Sequence, residues 1–197
     1  FEPRYLALIG HCVEHASPFG VVGIRHGVEA LGPLPEPVDV GCTAHIVEAS
    51  RLPSGRLDVS AVGGERFRIE RVSGEGPYLR ALVEAAPLPV GDASANRAAE
   101  RRLRRRLGRY LAVLAAASET RADLSSARLP SSPYALAYLA ASLLRLAAPI
   151  KQELLESPDL TTMLSNVAGI YKRELPVLET LIGQSSSTPG SGPFSRN

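Results

Sequence analysis

The spacing of apolar residues changes once along this chain, across Pro87-Leu88-Pro89-Val90-Gly91-Asp92-Ala93-Ser94-Ala95. Before that stretch Leu57, Val59 and Ala61 alternate with Arg56, Asp58 and Ser60, the period-two pattern of a half-buried strand. After it Leu103, Leu107, Tyr110, Leu111 and Leu114 recur at helical spacing in Ala-, Leu- and Arg-rich sequence. A sheet cannot bury a stripe of period 3.6, nor a helix one of period 2. The chain is therefore expected to form an antiparallel sheet unit over residues 1–86, a linker over 87–95 and packed helices over 96–183, an α+β protein.

Within the first unit, Pro3 at a first-turn position and the spacing of Tyr5, Leu8, Ile9 and Cys12 predict a helix over 3–14. Phe19 to Ile24 reads as one apolar strand, 27–37 as a Gly- and Pro-rich loop, and Val40 to Glu48 as the next strand. Pro53-Ser54-Gly55 has turn chemistry, and Gly63-Gly64 reads as a second break before Phe67 and Ile69 resume the alternation. Tyr78 to Ala85 is the last strand.

In the second unit a helix is expected over 96–117. Ser132-Pro133 and Ser157-Pro158 both have the look of an N-cap followed by Pro at N1, starting helices at 134–146 and 159–175, with a shorter helix from Ile150 to Ser157 between them. Pro176 is expected to kink or stop the last one, and 184–197 reads as a flexible, disordered tail.

Composition narrows the function classes. The 197 residues are 45% hydrophobic and 21% charged, ordinary for a soluble domain with a core, and a net charge of +2 does not announce a polyanion partner. Cys12 and Cys42 do not make a disulfide framework; both sit in apolar surroundings and read as buried free thiols, which suits a cytoplasmic protein. No apolar run is long enough to span a bilayer, and no signal peptide is visible.

Catalytic patterns are sparse. No Gly-Lys pair occurs, so no phosphate-cradling P-loop is expected, and Lys151 and Lys172, the only lysines, have no serine elbow beside them. His11 and His15 stand one helical turn apart next to Glu14, a spacing that can share a metal, but no further ligand cluster lies near and two exposed helix histidines are the favoured reading. Arg102, Arg105, Arg106 and Arg109 share a helix face opposite the leucine stripe. A solvated face is favoured over a phosphate site, because the first unit lacks a series of exposed aromatics for stacking bases.

Particular residues carry a family likeness. Phe1-Glu2-Pro3-Arg4-Tyr5, Phe19-Gly20-Val21-Val22, the stretch Arg51 to Ile69, and Lys151-Gln152-Glu153-Leu154-Leu155-Glu156 occur in the order seen in the N-terminal domain of Lon-type ATP-dependent proteases, and over residues 1–182 the chain resembles that domain. The resemblance implies a small PUA-like β-barrel followed by a helical bundle, without ATPase or peptidase chemistry and without cofactor or metal. It also implies that a first barrel strand lies upstream of Phe1, and the polar stretch up to Asn197 favours a stand-alone module. The implied function is non-catalytic recognition of unfolded or partner polypeptides, with a separate protease as a further candidate partner and no membrane association. The alternative is a PUA-like nucleic-acid binder using the Arg-rich helix 101–109. Glu2, Arg4, Tyr5 and the Lys-Gln-Glu-Leu-Leu-Glu stretch read as structural, and no individual binding residue is singled out.

Overall fold

The computed structural model describes residues 3–27, 35–53, 56–117 and 129–185. It divides into two compact units, Phe1–Leu88 and Pro89–Asn197. The fold is α+β: the described residues form two antiparallel sheets, with one helix in the first unit and four in the second.

The first unit opens with α1 (Pro3–His15), whose inner face buries Ile9 and Cys12. Ala16 ends it in the left-handed region at φ 49°, and Ser17 N–H donates back to the Cys12 carbonyl at 3.0 Å, a Schellman-type closure made without the usual glycine. Four strands follow in one sheet, in the order β1 (Phe19–Val21), β4 (Val40–Arg51), β5 (Leu57–Ser73), β6 (Arg80–Ala85). The short pair β2 (Ile24–His26) and β3 (Glu36–Pro37) forms a second sheet. Arg25 ties that pair by reaching both Glu36 at 3.2 Å and Asp39 at 2.9 Å. Among the described residues β1 and β6 do not pair, so the four strands stand as a row with two edges.

Three expectations change here. Phe19 to Ile24 is not one strand; the chain leaves the first sheet after Val21 and enters the second at Ile24. Of the expected loop over 27–37, Glu36–Pro37 is a strand, and residues 28–34 lie outside the described residues. Gly63-Gly64 is no break, because β5 runs unbroken for 17 residues. The pair instead marks a bulge: one residue, Thr43, separates Cys42 and Ala44 on β4, while two, Gly64 and Glu65, separate their partners on β5. Glu65 N–H donates to Thr43 Oγ1 at 2.8 Å, and a Cβ on Gly64 would meet that same oxygen at 2.5 Å. Glycine is there because β4 passes close, not because the chain turns.

The second unit is built on α2 (Ala93–Ala117), α3 (Pro133–Leu143), α4 (Ala148–Leu155) and α5 (Leu160–Ser185). Its core is closed: Leu103, Leu107, Leu136, Leu164, Val167 and Tyr171 have no exposed area. Tyr171 donates its hydroxyl to the Ala140 carbonyl at 2.8 Å and meets Tyr110 edge-on at 5.1 Å. Burial, with a smaller contribution from Tyr110, pushes its phenol above the ordinary value.

Ser132 caps α3 as expected, accepting from Ala135 N–H at 3.4 Å. Ser157 does not cap α5. Asp159 does, accepting from Thr162 N–H at 2.8 Å, and Ser157 is buried instead. Pro176 lies inside α5 without ending it. The helix continues to Ser185, two residues into the stretch expected to be tail, and residues 186–197 lie outside the described residues.

Several bonds tie the stretch 89–96 to the helices of the second unit. Asp92 accepts from Ala95 N–H at 2.6 Å and so starts α2 at Ala93. Asn96 donates to the Val90 carbonyl at 2.5 Å and accepts from Thr161 Oγ1 at 2.8 Å, while Leu160 N–H donates to the Pro89 carbonyl at 2.8 Å. Gly91 sits at φ 73°, where a Cβ would meet Thr161 Oγ1 at 2.7 Å. Residues 89–92 are thereby sewn to the starts of α2 and α5.

A candidate polypeptide-binding groove

One face of the first unit's sheet is cupped beneath α1, enclosing a groove of about 560 Å³. Leu8, His11 and Cys12 of α1 form one wall, Phe19 and Gly20 of β1 the next. Phe67, Ile69 and Val72 of β5 form the floor, and Ala81 and Val83 of β6 the far side, with Tyr78, Leu79 and Arg80 at the end where β6 begins.

A bulge decides which residues reach this floor. Ile69 pairs with Val83 and Arg71 with Leu82, so Glu70 is an extra residue on β5. Before it the odd-numbered Phe67 and Ile69 face the groove; after it the even-numbered Val72 does. Across β6 the opposing residues are Val83 and Ala81, and both also line the groove. Without the bulge, strict alternation would turn Val72 away.

The groove is apolar but open. Val72 is 39% exposed and Val83 42% exposed, whereas Phe67 beneath them is buried at 6%. Phe67 is also what keeps the floor close: a Cβ on Gly41 would meet its ring at 2.8 Å and the Val21 carbonyl at 2.6 Å. All six residues of β6 are exposed, and no described strand pairs with its outer edge.

Arg80 stands among the described residues of the lining. Its guanidinium lies over the Tyr78 ring at 5.3 Å and donates to the Tyr78 hydroxyl at 3.5 Å. Among the described residues the lining contains no carboxylate.

The other candidates fall into place as follows. His11 and His15 are stacked, with ring centroids 4.3 Å apart, and His15 Nδ1 is bonded to the His11 carbonyl at 2.9 Å. The rings lie face to face, so their lone pairs do not converge on one point, and no metal-ready group of three or more ligands occurs among the described residues. Both cysteines are free; Cys12 is buried and Cys42 half-buried, its thiol pushed up by that burial.

The arginine face is divided. Arg102 and Arg105 are exposed, but Arg106 donates to the Ala168 carbonyl at 2.6 Å and Arg109 pairs with Glu179 at 2.7 Å. Arg104, outside the expected face, bridges Glu100 at 2.7 Å and the Pro130 carbonyl at 2.6 Å. Half of the expected solvated face is thus committed to holding α2 in its unit. The Lys-Gln-Glu-Leu-Leu-Glu stretch lies on α4, which buries Leu154, with Lys151 outside.

Sequence reading did not single out the groove residues. Its signal was in the alternation of Leu79, Ala81 and Val83, but which face of that strand is cupped depends on α1 folding over it.

The chain thus carries a sheet with an open apolar groove, followed by helices. The family model described as the ATP-dependent protease La (LON) substrate-binding domain matches residues 1–173, and the chain belongs to that family. A Lon protease of Phenylobacterium zucineum (strain HLK1) is 32% identical over 180 residues, which is 90% of this chain but 22% of that protein, so the chain spans about a fifth of its relative's length.

The fold is shared with two solved structures. A Lon N-terminal domain protein from Xanthomonas campestris superposes with a TM-score of 0.54 at 23% identity, over 86% of this chain and 85% of that one. The N-terminal domain of a Mycobacterium avium complex Lon protease superposes with a TM-score of 0.56 at 18% identity, over 80% and 90%.

Proposed function

We propose that this chain is a non-catalytic recognition module that binds extended, apolar segments of unfolded or partner polypeptides. The observation that carries this reading is the groove of about 560 Å³ beside a sheet edge that no other described strand pairs with. An edge strand offers main-chain hydrogen bonds that tolerate any sequence, and an apolar floor takes alternate side chains of the added strand. Membership of a substrate-binding family supports the same reading. A separate protease is the partner to which such a module would deliver its clients, and a cytoplasmic setting suits both free thiols. Closure of the first unit into a PUA-like barrel and packing of α2 to α5 as a bundle belong to the same family reading.

Ordering a flexible segment offsets much of the apolar gain, so a single module should bind with a Kd on the order of micromolar or weaker. Titration of an unfolded protein and its folded counterpart tests this. The unfolded form should bind, with hydrogen-exchange protection on β6 and the floor of β5. Equal binding of both forms, or protection confined to residues 101–109, would refute it. RNA should bind weakly and fade with modest salt, as counterion release requires.

A further inference from the structure

We infer that the outer arginine face of α2 seats an acidic helix of a partner polypeptide, whose carboxylates, one turn apart, are gripped by Arg101, Arg102 and Arg105. The inference uses the second unit alone and does not depend on the groove.

Charge is the first consideration. The arginines of α2 fall into two sets. Arg104 is bound to Glu100 and the Pro130 carbonyl, Arg106 to the Ala168 carbonyl and Arg109 to Glu179. Arg101, Arg102 and Arg105 are exposed, and among the described residues none of them pairs with a carboxylate. These three span about 100° of the helix circumference, so like charges stand on one side with nothing to offset their repulsion. Lys172 of α5 is exposed one turn beyond Ala168, which meets α2, and adds a cation on that side.

The second consideration is what already sits on this face. Glu179, carried by a neighbouring helix, accepts from Arg109 through Nε at 2.8 Å and Nη2 at 2.7 Å. Arg105 lies one turn before Arg109, and Arg101 one turn before that, so the row continues in steps of about 6 Å. Glutamates at i and i+4 of a guest helix repeat at the same interval. Each guanidinium fork takes a carboxylate by two hydrogen bonds, as Arg109 takes Glu179.

Shape is the third consideration. Gly108 and Ala112 are the exposed residues next along the same side, and a Cβ on Gly108 would meet nothing within 4 Å. No bulky side chain there holds a guest helix away. The one aromatic residue of α2, Tyr110, is turned to Tyr171, so a nucleic-acid base finds nothing on this face to stack on. That favours a polypeptide over a nucleic acid.

The test is fluorescence anisotropy of the whole chain with labelled Ala-rich helical peptides. One carries Glu at i, i+4 and i+8; its isomer has the same composition with Glu spread around the helix. The first should bind more tightly, and salt should weaken it. Exposed ion pairs contribute a few-fold each, so Arg101→Gln/Arg102→Gln/Arg105→Gln should weaken the first peptide about tenfold. The melting temperature should not change, since these side chains hold nothing in the fold. The triple Arg→Lys variant keeps the charge and loses the fork, and should fall between the two. An unfolded apolar client should not displace the peptide.

Equal affinity for the two isomers would overturn the inference, as would binding that survives the triple Gln variant. Duplex DNA of equal charge bound as tightly, and released by the same variant, would assign the face to polyanions instead and overturn it. Displacement by the apolar client would move the peptide to the groove, with the same result. Absence of binding by either peptide would overturn it and leave the polypeptide-recognition reading of the groove standing.

Discussion

The two units bury apolar residues in different ways. In the second, Leu103, Leu107, Leu136, Leu164, Val167 and Tyr171 are closed off completely, and the Tyr171 hydroxyl is matched to the Ala140 carbonyl. In the first, Ile9, Cys12, Val40, Ala44 and Phe67 are buried to a few per cent, while Val21, Val47, Val62, Leu82 and Val83 remain more than 40% exposed. Helices close their stripes against each other with side chains from several directions. A single sheet has two faces, and here α1 covers only part of one. The second unit also leaves Val90, Val177 and Leu181 more than half exposed, but it has a fully closed apolar centre that the described residues of the first unit lack.

The largest effect expected from breaking that contrast is at Tyr171. Tyr171→Ala should cost about 3–5 kcal/mol of stability in the second unit, since it opens a cavity and strands the Ala140 carbonyl. Urea unfolding followed by helical circular dichroism measures it, and a loss below about 1 kcal/mol would mean the core can collapse around the gap.

Tyr171→Phe separates the hydroxyl from the ring. In the native protein the phenol is held protonated above its ordinary value of 10.0. Above that pH the unfolded chain loses this proton first, so stability should fall as pH rises. The variant should lack that part of the alkaline slope.

The arginines sharpen the comparison next. Arg106→Met should cost about 1.5–3 kcal/mol, because it removes a charge-assisted bond to a helix carbonyl. Arg105→Met, on the exposed side, should lie within about 0.5 kcal/mol of the native protein. Equal effects in urea titrations would restore a uniformly solvated arginine face.

In the first unit the adjacent glycines should behave differently. Gly64→Ala should cost about 1–3 kcal/mol, since Thr43 Oγ1 cannot move aside without losing its bond from Glu65 N–H. A Cβ on Gly63 meets nothing within 4 Å, and Gly63→Ala should be tolerated. If the two variants melt at the same temperature, the bulge does not constrain the strand.

The smallest effect is at Asp92. Bonds from Ser94 Oγ and Ala95 N–H hold its carboxyl below the ordinary value of 3.8. Its contribution is therefore present above that value and is lost as pH falls through the depressed one. Asp92→Asn should keep a cap yet flatten this acid limb, as read from urea midpoints on either side of the window.

The sequence by itself determined the two kinds of periodicity, and with them a sheet unit before Pro87 and helices after it. It also placed α1, the Ser132 cap and the leucine stripe of α2, because each depends on neighbours within a turn or two. The family likeness was legible in short motifs along most of the chain. What sequence could not reveal were features set by residues distant along the chain. Gly63-Gly64 reads as a turn because glycine permits one, yet the passage of Thr43 beside Gly64 makes it a bulge within β5. Ser157-Pro158 has the pattern of a cap, but Asp159 performs the role while Ser157 is buried. Arg106 looks solvated until Ala168, 62 residues away, supplies its acceptor. The groove is the strongest case: Phe67, Ile69 and Val72 break strict alternation, and only the pairing across β5 and β6 places the extra residue at Glu70. Local chemistry selects the element, and non-local pairing selects which face of it lines the groove.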